Sequence, residues 1–212
     1  VEQDANSARY DLGEFSLELG LASLARIDPI RLATPILEDL CEMIGETVAL
    51  AMWGNHGPTC VRWVEAGGPI TVTLRPGVVL PLTTSATGLL FSTFFRSPYL
   101  KKQLDAELKA NAEAANIPFE HLKSKLESQL EEIRTNQIAR ASGSLTPGIN
   151  GFSAPVFDYT GRMIAAITSL GTIGQFEMDW NSSIATHIKN SATCLSKRLG
   201  FEAPPSSEAV FK

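Results

Sequence analysis

Hydroxyl side chains are the densest chemistry in this 212-residue chain: Thr83-Thr84-Ser85-Ala86-Thr87-Gly88 sets four hydroxyl groups and a glycine directly after Val79-Leu80-Pro81-Leu82. Apolar residues around a proline, followed by small hydroxyl residues, are how a chain leaves a sheet and opens a helix. The first N–H groups of a helix have no acceptor within it, so such a terminus suits a small anionic or polar molecule. Isolated hydroxyls in this position also cap helices, and one of these is expected to do so.

Bond-making chemistry finds less support. The chain contains no G-x-S-x-G, no G-x-x-x-x-G-K-[ST], no H-E-x-x-H and no G-x-G-x-x-G. Gly143-Ser144-Leu145-Thr146-Pro147-Gly148 has the glycine spacing of a phosphate loop, but Ile149 and Asn150 stand where the lysine and hydroxyl would be. A nucleophilic Ser85 would need one of the three histidines as its base, and His56, His121 and His187 fall in a turn and on two separate helices. They share no ligand spacing with one another or with acids, so no metal site is expected. Cys41, Cys60 and Cys194 show no C-x-x-C pattern and are expected to be buried, reduced thiols. No catalytic residue and no cofactor is expected.

A composition of 44% hydrophobic and 19% charged residues is that of a globular domain with a core. The net charge of -5 provides no general attraction to phosphates. There is no apolar run of membrane-spanning length and no signal-peptide progression at the start, so a cytoplasmic location without membrane contact is expected.

The elements that must position the hydroxyl run follow from periodicity. Residues 1–9 read as an extended lead-in. Residues 14–26, rich in Leu, read as a short helix made for burial against a partner. Asp28-Pro29 opens a helix to Ile44 with Ile36, Leu40 and Ile44 on one stripe, and Pro35 marks a kink or a boundary within it. Strands are predicted over 47–53 and 60–65 around a turn at 54–58, with a third over 70–74. Helices are predicted over 85–95, 98–115 and 118–136, the last carrying Phe119, Leu122, Leu126, Leu130 and Ile133. A strand at 137–141 and a loop at 143–151 precede a hairpin of 152–158 and 163–170 around Tyr159-Thr160-Gly161-Arg162. A final helix covers 179–199, Gly200 ends it, and the tail from 203 reads as disordered. Strands and helices segregate, so the fold class is α+β, an antiparallel sheet with helices packed on it.

Four motifs in order, Tyr10-Asp11-Leu12-Gly13, Gly45-Glu46-Thr47-Val48-Ala49-Leu50, Leu80-Pro81-Leu82 with Gly88, and Ala154-Pro155-Val156-Phe157-Asp158, carry a resemblance over nearly the whole chain. The sequence resembles the C-terminal effector-binding domain of the IclR family of bacterial transcriptional regulators. The resemblance implies a GAF-like sensor, with residues 1–27 the end of a wing and a linker helix, 28–201 the effector-binding domain, and 202–212 a tail. It implies that DNA is bound only through a winged helix-turn-helix that precedes this segment and is absent from this chain, and that the protein is a homodimer or homotetramer. Two departures remove charge near the implied pocket: Leu89 stands where the family often has Lys, and residues 144–148 lack an acid.

Carried onto this sequence, the implied lining is Ser85, Ala86 and Thr87, Gly151, Thr168 and Leu170, with Val72 and Ala141 placed by ungapped spacing. Trp53 is added as an aromatic wall, and Trp63 is assigned to the core. These positions are small, hydroxylated and uncharged, and suit a small organic acid or aromatic metabolite held by backbone N–H groups and hydroxyls. Two readings from other classes stand beside this one. The first is a ligand-free, GAF-like dimerisation module whose pocket is filled by side chains such as Trp53; the second is a Ser85-dependent hydrolase.

Overall fold

A computed structural model describes residues 2–3, 10–11, 14–24, 26–67 and 76–202. Its elements in order are β1 (Glu2–Gln3), β2 (Tyr10–Asp11), α1 (Glu14–Leu24), α2 (Pro29–Ile44), β3 (Thr47–Gly54), β4 (Gly57–Val64), α3 (Ala86–Phe94), α4 (Leu100–Ala115), α5 (Phe119–Asn136), β5 (Ala139–Ser142), β6 (Ile149–Phe157), β7 (Met163–Thr172) and α6 (Ser183–Arg198). The strand predicted over 70–74, and the tail from 203, lie outside the described residues.

Among the described residues, five strands form one sheet in the order β4-β3-β7-β6-β5, every neighbouring pair antiparallel. This is the predicted α+β arrangement, and side-chain alternation explains its layers. Val48 and Leu50 of β3, Phe152, Ala154 and Val156 of β6, and Ala165 and Ile167 of β7 face one way and pack with Leu37 and Leu40 of α2 and Ile188 and Leu195 of α6. Ala51 and Ala166 face the other way and pack with Leu89, Leu90 and Phe91 of α3 and Leu126, Leu130 and Ile133 of α5. The sheet is therefore covered on both faces.

Local signals explain most boundaries. The Asp28 carboxylate accepts from the N–H groups of Ile30 and Arg31 at 3.0 and 3.2 Å, which starts α2 at Pro29. Pro35 neither ends nor divides α2; it sits on the exposed side, where the acceptor it leaves unmatched can meet water. In the β6–β7 turn Asp158 Oδ1 accepts from the N–H groups of Thr160 and Arg162 and from the Thr160 hydroxyl.

Several expectations need correction. β4 starts at Gly57, so the turn after β3 is only Asn55-His56. β6 starts at Ile149, inside the stretch predicted as loop, because Ile149, Asn150 and Gly151 pair with Thr172, Gly171 and Leu170 of β7. The first helix ends at Leu24, and Glu2–Gln3 of the lead-in pair with Tyr10–Asp11. Cys41 and Cys60 are buried thiols, but Cys194 is exposed, since it lies on α6 beside the stripe of Ala192, Leu195 and Leu199 rather than in it.

Candidate functional site

The hydroxyl run folds as its residue types suggest. Ser85 is the cap of α3: its Oγ accepts from Gly88 N at 2.8 Å and donates to Pro81 O at 2.7 Å. Leu89 N donates to Ser85 O at 2.9 Å, so the N–H groups of Ala86 and Thr87 are left ahead of the first acceptor within the helix. Gly88 is required by proximity. A Cβ there would lie 1.8 Å from Pro81 O and 2.6 Å from Leu82 Cα, so only glycine lets α3 rest on the 81–82 backbone.

The start of α3 points at a small cavity of about 40 Å³ between the sheet, the turn before α3 and the β5–β6 loop. Seven of the predicted positions line it: Ser85, Ala86, Thr87, Ala141, Gly151, Thr168 and Leu170. At Gly151 a Cβ would come within 2.7 Å of Leu170 Cδ2 and 3.3 Å of Ser169 O, so any side chain there takes space from the cavity or displaces Leu170. Val72 lies outside the described residues.

Trp53 is not part of the lining. It shares the sheet face of Ala49 and Ala51, but it lies farther along β3, opposite the later turns of α3, where it stacks on Phe95 at 4.6 Å between ring centroids and leans on Phe91 at 5.8 Å. The aromatic residue at the cavity is Trp63 of β4, the one assigned to the core, together with Cys60 of the same strand and Ala49 and Ala51 of β3. Strand parity from Trp53 would have found Ala49 and Ala51. Trp63 depends on the register shift between β3 and β4 at Leu50/Ala51, which leaves no mark in the sequence.

The hydroxyls beneath the cavity are already paired. Thr168 Oγ1 lies 2.8 Å from Thr87 Oγ1 and 2.8 Å from Ser153 Oγ, and all three residues are buried. Ser153 was not in the predicted set, although it sits two residues after Gly151 and is the direct partner of Thr168 across the β6–β7 pair. Among the described residues, no lysine, arginine, histidine, aspartate or glutamate lines the cavity. Burial pushes the Cys60 thiol up, more than a backbone hydrogen bond from Arg62 lowers it, so this group is a neutral thiol at neutral pH. None of His56, His121 and His187 lines the cavity, and the Ser85 hydroxyl is engaged by Pro81 O and Gly88 N.

The roof is residues 144–146 of the β5–β6 loop. It is exposed, and one side-chain hydrogen bond joins it to the turn before α3, from Ser144 Oγ to Thr84 O at 2.9 Å. Beyond that turn an open groove runs between α4, α5 and the outer edge of β5, and Ala141 and Ser144 line both it and the cavity.

Residues 21–197 match the family described as bacterial transcriptional regulator IclR C-terminal. The crystal structure of Pseudomonas aeruginosa HmgR is similar over 96% of this chain and 79% of that one, with a TM-score of 0.81 and 33% identity. The HTH-type transcriptional regulator KipR of Bacillus subtilis is 23% identical over 203 residues, 95% of this chain and 79% of its own. The glycerol operon regulatory protein of Streptomyces coelicolor is 25% identical over 205 residues, covering 94% and 78%. The chain belongs to the IclR family, as its C-terminal domain, and these relatives are named as transcriptional regulators rather than enzymes. Among the described residues no helix is long and apolar enough to cross a membrane.

Proposed function

We propose that this domain senses a small molecule for a transcriptional regulator, and that the cavity at the start of α3 is its effector site. The observation that carries the reading is the convergence on one cavity of Ser85, Ala86, Thr87, Ala141, Gly151, Thr168 and Leu170, beside two helix N–H groups that have no acceptor in their own helix. The described lining residues carry no formal charge, so the effector class favoured is a small organic acid or aromatic metabolite. Its carboxylate meets the N–H groups of Ala86 and Thr87, and its apolar body meets Leu170, Trp63 and Ala51. Binding acts by shifting a population between subunit arrangements, and an effector with equal affinity for both shifts nothing. Operator contact then belongs to a winged helix-turn-helix outside this chain. Assembly as a homodimer or homotetramer in the cytoplasm completes the proposal, with Phe15 and Leu19 of α1, both exposed in the single chain, available to a second copy.

A space of about 40 Å³ holds a few waters, whereas pockets for organic ligands begin at roughly 300 Å³. On the sensor reading this is a closed form, and the exposed roof at 144–146 is the wall that retreats. The same small volume favours a second reading, a ligand-free dimerisation module. Thermal unfolding against benzoate, phenylacetate, pyruvate and succinate separates the two, because a ligand at about 100 times its Kd adds roughly 2.7 kcal/mol. A response by one chemical class that is lost in Ala141→Leu, which fills the cavity from a half-exposed edge strand, supports the sensor. A silent panel supports the ligand-free module.

A further inference from the structure

The turn before α3 is held from outside by a residue that does not touch the cavity. Glu107, half-buried on α4, accepts from Leu82 N and Thr83 N, each at 2.8 Å, and from the Thr83 hydroxyl. One helical turn later, Asn111 Nδ2 donates to Thr83 Oγ1 at 2.8 Å. A single carboxylate thus uses both oxygens on two consecutive backbone N–H groups, just ahead of the Ser85 cap. Hydrogen bonds to an ionised acceptor are stronger than neutral ones, and two of them on adjacent amides fix a turn's orientation. Ser92 Oγ adds a longer contact to Leu82 O, from α3 itself.

The two walls of the cavity are therefore unequal. The roof at 144–146 has one side-chain hydrogen bond to the turn, while the turn is clamped by α4. We propose that Glu107 is a positioning residue for effector binding: it keeps the N–H groups of Ala86 and Thr87 aligned toward the ligand and joins the α4–α5 pair mechanically to the site. This inference rests on the effector-site reading above. If losing the carboxylate leaves the turn correctly placed in only about a tenth of molecules, apparent affinity falls about tenfold.

The test uses Glu107→Gln, which sets an amide NH2 against backbone donors, and Asn111→Ala, which loosens the same turn more gently and serves if the first variant fails to fold. Each is titrated with whichever of benzoate, phenylacetate, pyruvate or succinate stabilises the wild type, and amide hydrogen exchange is followed at Leu82 and Thr83. The expected results are a Kd about tenfold higher in Glu107→Gln, two- to threefold higher in Asn111→Ala, and faster exchange at both amides. A role in stability alone would lower the unfolding temperature and leave Kd unchanged. A wild type that responds, with a Glu107→Gln Kd within twofold of it, overturns the role of Glu107 and spares the sensor. A wild type that responds to none of the acids overturns the sensor reading and this role with it; unchanged exchange at Leu82 and Thr83 overturns the clamp by itself.

Discussion

Thr168→Val tests the chain of hydroxyls beneath the cavity. Thr168 Oγ1 stands between Thr87 Oγ1 and Ser153 Oγ at 2.8 Å on each side, and the three residues are 4%, 2% and 0% exposed, so bulk solvent does not reach them. Valine keeps the shape of threonine and deletes both hydrogen bonds. At a net value of about 1 kcal/mol for each bond, the variant loses about 2 kcal/mol. For a domain of this size that is a fall of roughly 4–8 °C in unfolding temperature, and a lower urea midpoint with an unchanged m-value. The penalty arises mainly from the two hydroxyls left unpaired, and that has a second consequence. The triple variant Thr87→Val, Ser153→Ala, Thr168→Val removes the orphans as well, and should recover at least half of the loss. A single variant within about 0.5 kcal/mol of wild type, or a triple variant less stable than the single, refutes the reasoning.

Three further outcomes follow from the packing and electrostatics. Gly88→Ala brings a methyl group to 1.8 Å from Pro81 O, so it should lower the unfolding temperature by more than Thr168→Val does, measured by calorimetry. Burial raises the Glu46 carboxyl above the usual carboxylate range, which means the folded state binds that proton more tightly than the unfolded chain and loses stability as pH rises from about 4.3. Glu46→Gln should therefore gain on wild type between urea titrations at pH 4 and pH 7, and an equal difference at both pH values would count against it. Trp63 lines the cavity and Trp53 stacks on Phe95, so a ligand-induced change in tryptophan emission should vanish in Trp63→Phe and persist in Trp53→Phe.

What could be read ahead of the structure was set by interactions close in sequence. The Asp28 cap, the Ser85 cap and the Asp158 turn are made by residues two to four apart, and each appears where its residues predict. The apolar stripes of α2, α5 and α6 are likewise local and point to the sheet. The misplaced boundaries had other causes. β6 begins at Ile149 because β7 pairs with it, an interaction a stretch rich in Gly, Ser and Pro does not advertise. At the site, the segments Ser85 to Thr87, Gly151 and Thr168 to Leu170 come together as the family resemblance implies. Trp53 and Trp63 exchanged places for two reasons: strand parity gives Trp53 a face but not a position along it, and Trp63 depends on the register shift between β3 and β4. Glu107 was not singled out at all: it sits in a charge-rich helix stretch that reads as a solvated surface, and its partners lie 24 and 25 residues away.

The central claim is that an effector sits at the start of α3, and backbone amide resonances test it most directly. Adding the acid that raises the unfolding temperature should shift the Ala86 and Thr87 amides most, with Gly151 and Thr168 following along one saturable curve. Shifts centred elsewhere while those four amides stay in place would contradict the account.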